Sequence, residues 1–334
     1  MSLSKNLAKS SVVTLSKFIG LASLMRLVRP GIYVVNYHSI ADADVDPYIN
    51  QNTYRTANEF EDDLKFYLKH FRILSMAELI ECLKINTPPP GNSLLITFDD
   101  GLRINYDIQY PILKRYGITA SFFLTSAFID NKDLHHGRKL NLLMQRLSDS
   151  QDDSIKKILT GYLADHGLLK KNIDESLSAL DYRKKHHLES IANLMDVDFT
   201  KYLEKHRPYL SSSQVNEMLQ NGFEFGAHSI DHPRYSQLSL EDQIQQTTGS
   251  LDYVVNHFKL NYRLFAFPYS DDSLSGEFFD RIRPHVDLTF GMGGFRSGPI
   301  SFNIQRSDVE STKLPIELAL KYRLLTSGLR SILN

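Results

Sequence analysis

The sequence predicts an α/β fold, a distorted (β/α) barrel of about seven strands carrying a helical insertion. Three observations lead there. Short runs rich in Val, Ile, Leu and Phe recur with helical patterns between them, the alternation expected of a parallel sheet covered on both faces. Most of these runs end in a polar residue: His38, Asp99 with Asp100, Thr125, His228, Tyr269 and Arg306. A barrel collects its active site from the C-terminal ends of several strands, whereas a doubly wound sheet uses one crevice. Residues 130–210 are polar and helix-favouring, with no strand pattern.

Taken in order, residues 12–28, "VVTLSKFIGLASLMRLV", are apolar but interrupted by Lys17 and Arg26. That is too short and too broken for a membrane span, and it lacks the small-residue cleavage site of a signal peptide. Phe18, Leu21, Ala22, Met25 and Val28 fall on one helical face. Residues 1–30 therefore read as a helical segment, either packed under the main domain or lying on a membrane as a peripheral anchor. Strands are expected at 33–38, 94–100, 120–125, 223–228, 264–269 and 303–308, with weaker candidates at 71–75 and 288–292. "ANEFEDDLKFYLKHF" has helical spacing; "NYDIQYPILKRYG" is kinked at Pro111 or begins near it, and Gly117 caps its end. Ser239, with Asp242 three residues on, opens the helix that runs through "SLEDQIQQTTGSLDYVVNHF". The barrel thus comprises 31–129 and 211–334. The insertion, 130–210, either shapes substrate access or forms a structural or partner-binding lobe.

A net charge of −1, 42% hydrophobic residues and 23% charged residues suit a soluble globular chain and argue against a nucleic-acid binder. The single cysteine, Cys82, excludes an intramolecular disulfide and cysteine-ligated zinc. Twelve histidines leave a histidine–carboxylate metal site open. The expected location is the cytoplasm, at the inner membrane face, with a periplasm-facing anchor as the alternative.

Two stretches carry the chemistry. "LLITFDDG" ends an apolar run in two adjacent acids, which repel each other and are costly at a core boundary unless paired or metal-bound. In "FGAHSIDH", His228 and His232 are spaced to face one metal from a helical turn or tight loop. With an acid from Asp99–Asp100 they make a two-histidine, one-carboxylate set that leaves positions open.

"TFDDG" together with "HSIDH" resembles the first two motifs of the polysaccharide deacetylases, the NodB-type carbohydrate esterases, which read T-F-D-D-G and H-[ST]-x-x-H. "ASFFLT" is also similar, and the resemblance covers residues 31–130 and 210–310. It implies that Asp100, His228 and His232 bind one divalent metal, usually zinc. It also implies that Asp99 is the general base and that Tyr269 donates its backbone N–H to an oxyanion. The third family motif, R-x-P-Y, reads "AFPY" here, so Ala266 stands where an arginine normally braces the catalytic Asp. Arg306 is expected to reach across in its place, the alternative being a surface salt bridge; Arg103 is a weaker substitute. No late L-x-H histidine follows His285. His38, in "VVNYHSI", resembles the early "YH" that serves as general acid in deacetylases of poly-N-acetylglucosamine export systems. Those relatives also tend to lack the motif-three arginine. The alternative for His38 is a buried residue that shapes the pocket. His135 and His136, opening the insertion, either touch substrate or face solvent; His186 and His187 read as a solvated face. Asp46 and Tyr48 follow His38 in a loop that could line the cleft, though nothing in the sequence requires it. The implied function is a metal-dependent hydrolase that removes acetyl groups, chiefly N-acetyl, from a bacterial surface or extracellular polysaccharide or its lipid-linked precursor. The alternatives are an O-acetyl esterase acting on a glycan and a non-catalytic carbohydrate-binding relative.

Overall fold

Parallel strands, most of them buried along their length, build the fold, in a computed structural model that describes residues 12–28, 31–40, 55–89, 91–150, 152–296, 298 and 300–333. Asp46 and Tyr48 lie outside the described residues. The strands are β1 (Tyr33–Tyr37), β2 (Arg72–Ile73), β3 (Ser93–Phe98), β4 (Ser121–Leu124), β5 (Glu224–Ala227), β6 (Leu264–Ala266), β7 (Leu288–Gly291), β8 (Asn303–Gln305) and β9 (Ser307–Asp308). Their order is β8-β7-β6-β5-β4-β3-β1-β9, with β2 beside the start of β3. β8 and β9 are one stretch interrupted at Arg306: its first part pairs with β7 and its second with β1. That stretch closes the ring, which therefore has the seven members expected.

Side chains alternate across each strand, so one face of the ring points inward. Val34, Leu95, Phe123, Leu264, Ala266, Leu288 and Phe290 form one apolar cluster inside. Leu74, Met76 and Leu79 join it from the helix Met76–Lys84 and its approach. Buried Glu224 holds that helix in place, its carboxylate accepting from the N–H groups of Met76 and Ala77 at 2.8 and 2.9 Å, where a helix start favours negative charge. The outward faces, including Phe98, Phe122 and Phe225, pack under the surrounding helices in a larger cluster.

The helix Leu21–Val28 buries Leu21, Leu24 and Met25 and packs on the C-terminal helix Ile316–Leu333. This corrects the predicted apolar face: Phe18 is 83% exposed and Ala22 is exposed. The helical turns break at Ile19–Gly20, so the periodicity does not run through. Leu15 and Leu27 are exposed as well. Among the described residues no helix is long and apolar enough to cross a membrane.

Pro111 lies in the first turn of the helix Tyr110–Arg115, which follows a π-helical turn at Asn105–Gln109. Between β4 and β5 the helices His136–Asp149, Asp153–Asp165, Ile173–Ser178, His187–Leu194 and Phe199–His206 bury Leu143, Leu159, Leu163, Leu177, Ile191 and Met195 in a cluster of their own. Leu102, Ile104 and Phe128 connect that cluster to the barrel's C-terminal face.

Gly226 of β5 marks how closely the interior is packed. A Cβ there would meet the Leu264 carbonyl oxygen and the Phe123 ring at 2.7 Å. Gly226→Ala is expected to lower unfolding stability by about 1–3 kcal/mol through overpacking. An unchanged midpoint in chemical denaturation would contradict this account of the interior.

Candidate active site

The residues beyond the strand ends leave extended geometry sharply. Asp100, Ser229, His232 and Tyr269 have φ of +74°, +69°, +64° and +62°, a region that costs a non-glycine residue of order 1–3 kcal/mol. Gly101 follows at +63°. Each bend turns a side chain out of a buried strand into one shared space above the barrel. The loop after β5 is tied down from all sides. Ser126 and Ala127 donate their N–H groups to the carbonyls of Ser229 and Ile230 at 3.1 and 2.9 Å. The N–H of His232 donates to Ser229 Oγ at 3.0 Å. Asp231, between the two histidines, accepts from the Tyr182 hydroxyl at 2.7 Å and from Gln246 Nε2 at 2.9 Å, and pairs with Lys185. Tyr182 and Lys185 belong to the insertion, so the insertion holds this loop.

Asp100, His228 and His232 come together with ligand atoms all within 4.8 Å of one another. Nε2 of His228 and of His232 lie 3.6 and 3.1 Å from Asp100 Oδ1. That oxygen is buried and accepts no well-aligned hydrogen bond. Burial, outweighing the nearby carboxylates, lowers the His228 pKa to about 4, so the ring is neutral. Its Nδ1–H donates to the Ala266 carbonyl at 2.8 Å, which leaves the Nε2 lone pair facing the acid. A neutral imidazole fixed by an outer hydrogen bond, beside an orphaned carboxylate oxygen, is the donor arrangement a divalent cation completes. The residues fit a metal.

Asp99 points into the barrel and is 2% exposed. Arg306, fully buried, grips it with two bonds: Nη1 to Oδ1 at 2.7 Å and Nη2 to Oδ2 at 2.9 Å. Asn36 Nδ2 donates to Asp99 Oδ2 at 3.0 Å, and Asn36 Oδ1 accepts from Arg306 Nη1 at 2.8 Å. Burial alone would raise the Asp99 pKa; Arg306 outweighs it and holds the carboxyl below its ordinary value. Arg103 instead makes an exposed pair with Asp107. Ala266 has only a methyl group and no charge to offer Asp99, but its carbonyl orients His228.

His38 sits at the end of β1, its ring partly open to solvent. Glu310 accepts from its backbone N–H at 3.2 Å and holds its Nδ1 at 2.6 Å. Burial works to lower the His38 pKa, but the Glu310 charge and hydrogen bond carry it up to about 10. The ring is therefore protonated at neutral pH. The Tyr269 ring lies 4.8 Å from that of His232, with Arg234 over its face. Its backbone N–H has no partner among the described residues. Of the insertion histidines, His135 contacts the His232 ring at 5.0 Å. His187 bonds the Tyr162 hydroxyl and His186 is exposed. Sequence reasoning missed Glu310, Asn36, and the Tyr182–Lys185 grip on Asp231. None belongs to a motif, and no local pattern marks them.

The polysaccharide deacetylase family model matches residues 86–275, and the chain belongs to that family. A Staphylococcus epidermidis protein named poly-β-1,6-N-acetyl-D-glucosamine N-deacetylase is 25% identical over 216 residues, 58% of this chain and 70% of that protein. A Bacillus subtilis protein, YxkH, whose name places it among polysaccharide deacetylases, is 33% identical over 105 residues, 31% of this chain and 34% of that protein. The match therefore spans about a third of that relative. In fold, the chain is similar to the Streptococcus pyogenes deacetylase PplD, solved in complex with acetate. The TM-score is 0.55 at 19% identity, over 87% of this chain and 97% of the other. IcaB from Ammonifex degensii gives a TM-score of 0.55 at 18% identity, with the same coverage.

Two outcomes follow from this geometry. Purified protein should carry about one equivalent of divalent metal, and His228→Ala should lose most of it by elemental analysis. Full retention would remove the triad. For His38, the folded pKa lies above the ordinary 6.5, so its pairing with Glu310 contributes stability that is fully present below that value and lost as pH rises through about 10. Glu310→Gln should return the His38 imidazole titration, followed by NMR, to near or below its ordinary range. A titration that stays high in the variant would assign the shift to another group.

Proposed function

We propose that this deacetylase hydrolyses N-acetyl groups on an amino-sugar glycan of the bacterial surface or its precursor, using zinc held by Asp100, His228 and His232. The observation that carries the reading is a three-ligand site flanked by two ionisable groups in opposite states. Asp99 is held ionised by Arg306 and His38 is held protonated by Glu310. One carboxylate and two imidazoles leave room in the coordination shell for substrate and water, as catalytic zinc requires. When bound, the cation supplies a Lewis acid and makes water a nucleophile at neutral pH.

The chain's own groups do the rest. Asp99 takes a proton as water adds to the acetyl carbonyl and the new C–O bond forms. The Tyr269 N–H donates to the carbonyl oxygen as negative charge collects there. The C–N bond then breaks, and the leaving nitrogen takes a proton from His38, which supplies acetate and a free amine as products. Arg306 and Asn36 act through Asp99, and Glu310 through His38, as positioning residues. Similarity to the Staphylococcus epidermidis protein supports the N-acetyl amino sugar as substrate class. So do the two departures from the common motif pattern, the early His38 and the late Arg306.

Acetate release over a panel of N- and O-acetylated glycans, with and without chelator, tests the reading. Activity on N-acetylglucosamine oligomers should disappear with chelator. Asp99→Asn should keep its metal but lose about 10²- to 10⁴-fold in kcat; a rate near that of the wild type would take the base away from Asp99.

A further inference from the structure

Beside the metal triad, the start of the insertion builds something that the deacetylation chemistry does not use. A cavity of about 50 Å³ lies between Asp100 and His232 on one wall and Phe128, His135, Arg138 and Tyr209 on the other. Its size suits a small substituent rather than a sugar ring. Nη1 of Arg138 and Nε2 of His135 are both buried, and neither has a hydrogen-bond partner. Among the described residues Arg138 pairs with no carboxylate; its guanidinium lies 6.0 Å from the Tyr209 ring centroid. Both residues sit at the start of the helix His136–Asp149. That helix has no side-chain cap and no acid in its first turn. The N–H groups of His136 and Gly137, which have no helical carbonyl before them, are without a partner among the described residues. Gly137 lets the His135 ring lie over this turn, where a Cβ would stand 2.9 Å from His135 Cε1.

Buried polar atoms without partners call for one, and Arg138 Nη1 can only donate. An uncapped helix start and a free guanidinium select an anionic one, because the N-terminal N–H groups favour negative charge and the planar fork matches carboxylate or phosphate oxygens. Asp100 does not serve, since its carboxylate faces His228 and His232. We propose that this cavity is an anion subsite in which Arg138, His135 and the first turn of the helix bind a carboxylate or phosphate borne by the glycan. Resting on the proposed deacetylase reading, this makes the substrate an acidic amino-sugar polymer, with the charged group beside the acetylated residue.

The test has two arms. Chelator-treated protein is titrated with inorganic phosphate and with glucuronate, followed by NMR. Wild type should bind at least one of them saturably, Arg138→Gln should weaken that binding by about tenfold or more, and Arg138→Lys should keep part of it. Preference for phosphate or for glucuronate identifies the source of the charge. In the metal-loaded enzyme, kcat/KM should be about tenfold higher or more for N-acetylglucosamine oligomers carrying a uronate or phosphate than for neutral ones, and Arg138→Gln should bring that ratio toward one. No saturable binding by wild type, equal binding by wild type and Arg138→Gln, or a wild-type ratio of one would each overturn the subsite. If no glycan releases acetate, the deacetylase reading fails, while the titration of metal-free protein still decides whether the anion subsite exists.

Discussion

The ion pair between Arg306 and Asp99 is the constraint on which the rest is arranged. Both groups are almost wholly removed from solvent, where a lone charge is costly and removal of one partner typically costs roughly 3–5 kcal/mol. Two short bonds, with Asn36 bridging both residues, satisfy the pair. Arg306 also occupies the break between β8 and β9, the point at which the ring closes on β1. Closing the barrel and neutralising Asp99 are therefore one structural event.

The electrostatics of the site follow from how each group is compensated. Asp99 is held ionised by a cation fixed against it, and the Glu310 carboxylate raises the His38 pKa although burial raises that of Glu310 in turn. His228 is neutral because burial outweighs the carboxylates nearby. Three environments around one site thus push titratable groups in different directions, the condition for acid and base roles to coexist at one pH. The strained φ values at Asp100, Ser229, His232 and Tyr269 are the backbone cost of bringing those groups to one place; at Ser229 and His232 the hydrogen bonds that hold the loop after β5 offset it.

Much of this is legible in the sequence because it is local. Parallel strands covered on both faces must be apolar throughout, so "YVVNY" and "SLLITF" announce themselves, and the paired acids and spaced histidines stand out at their ends. Ser239 is readable as an N-cap because its partner, Asp242, is three residues away. What is not legible is nonlocal or depends on a break in a pattern. Glu310 lies in "SDVESTK", an ordinary polar stretch that acquires meaning only when it arrives beside His38. Asp231 reads as a filler position between two histidines until Tyr182 and Lys185 reach it from the insertion. Phe18 looked inward only if one helix ran through Gly20, and two do not share a face across that break. The missing arginine at Ala266 could be noticed; that Arg306 lands on Asp99 is a fact of ring closure that no local period encodes.

The contacts that complete the site are also among the more widely separated along the chain. His38 and Glu310 are 272 residues apart, Asn36 and Arg306 are 270, and Asp99 and Arg306 are 207. Closing loops of that length is entropically slow, and high contact order delays such pairings. During synthesis Asp99, Asp100, His228 and His232 emerge before Arg306 and Glu310, which hold Asp99 and His38. A nascent or C-terminally truncated chain would thus display the recognisable motifs without the counter-charges that give them their protonation states. The stretch that closes the barrel supplies both counter-charges, which ties the electrostatics of the site to closure of the ring.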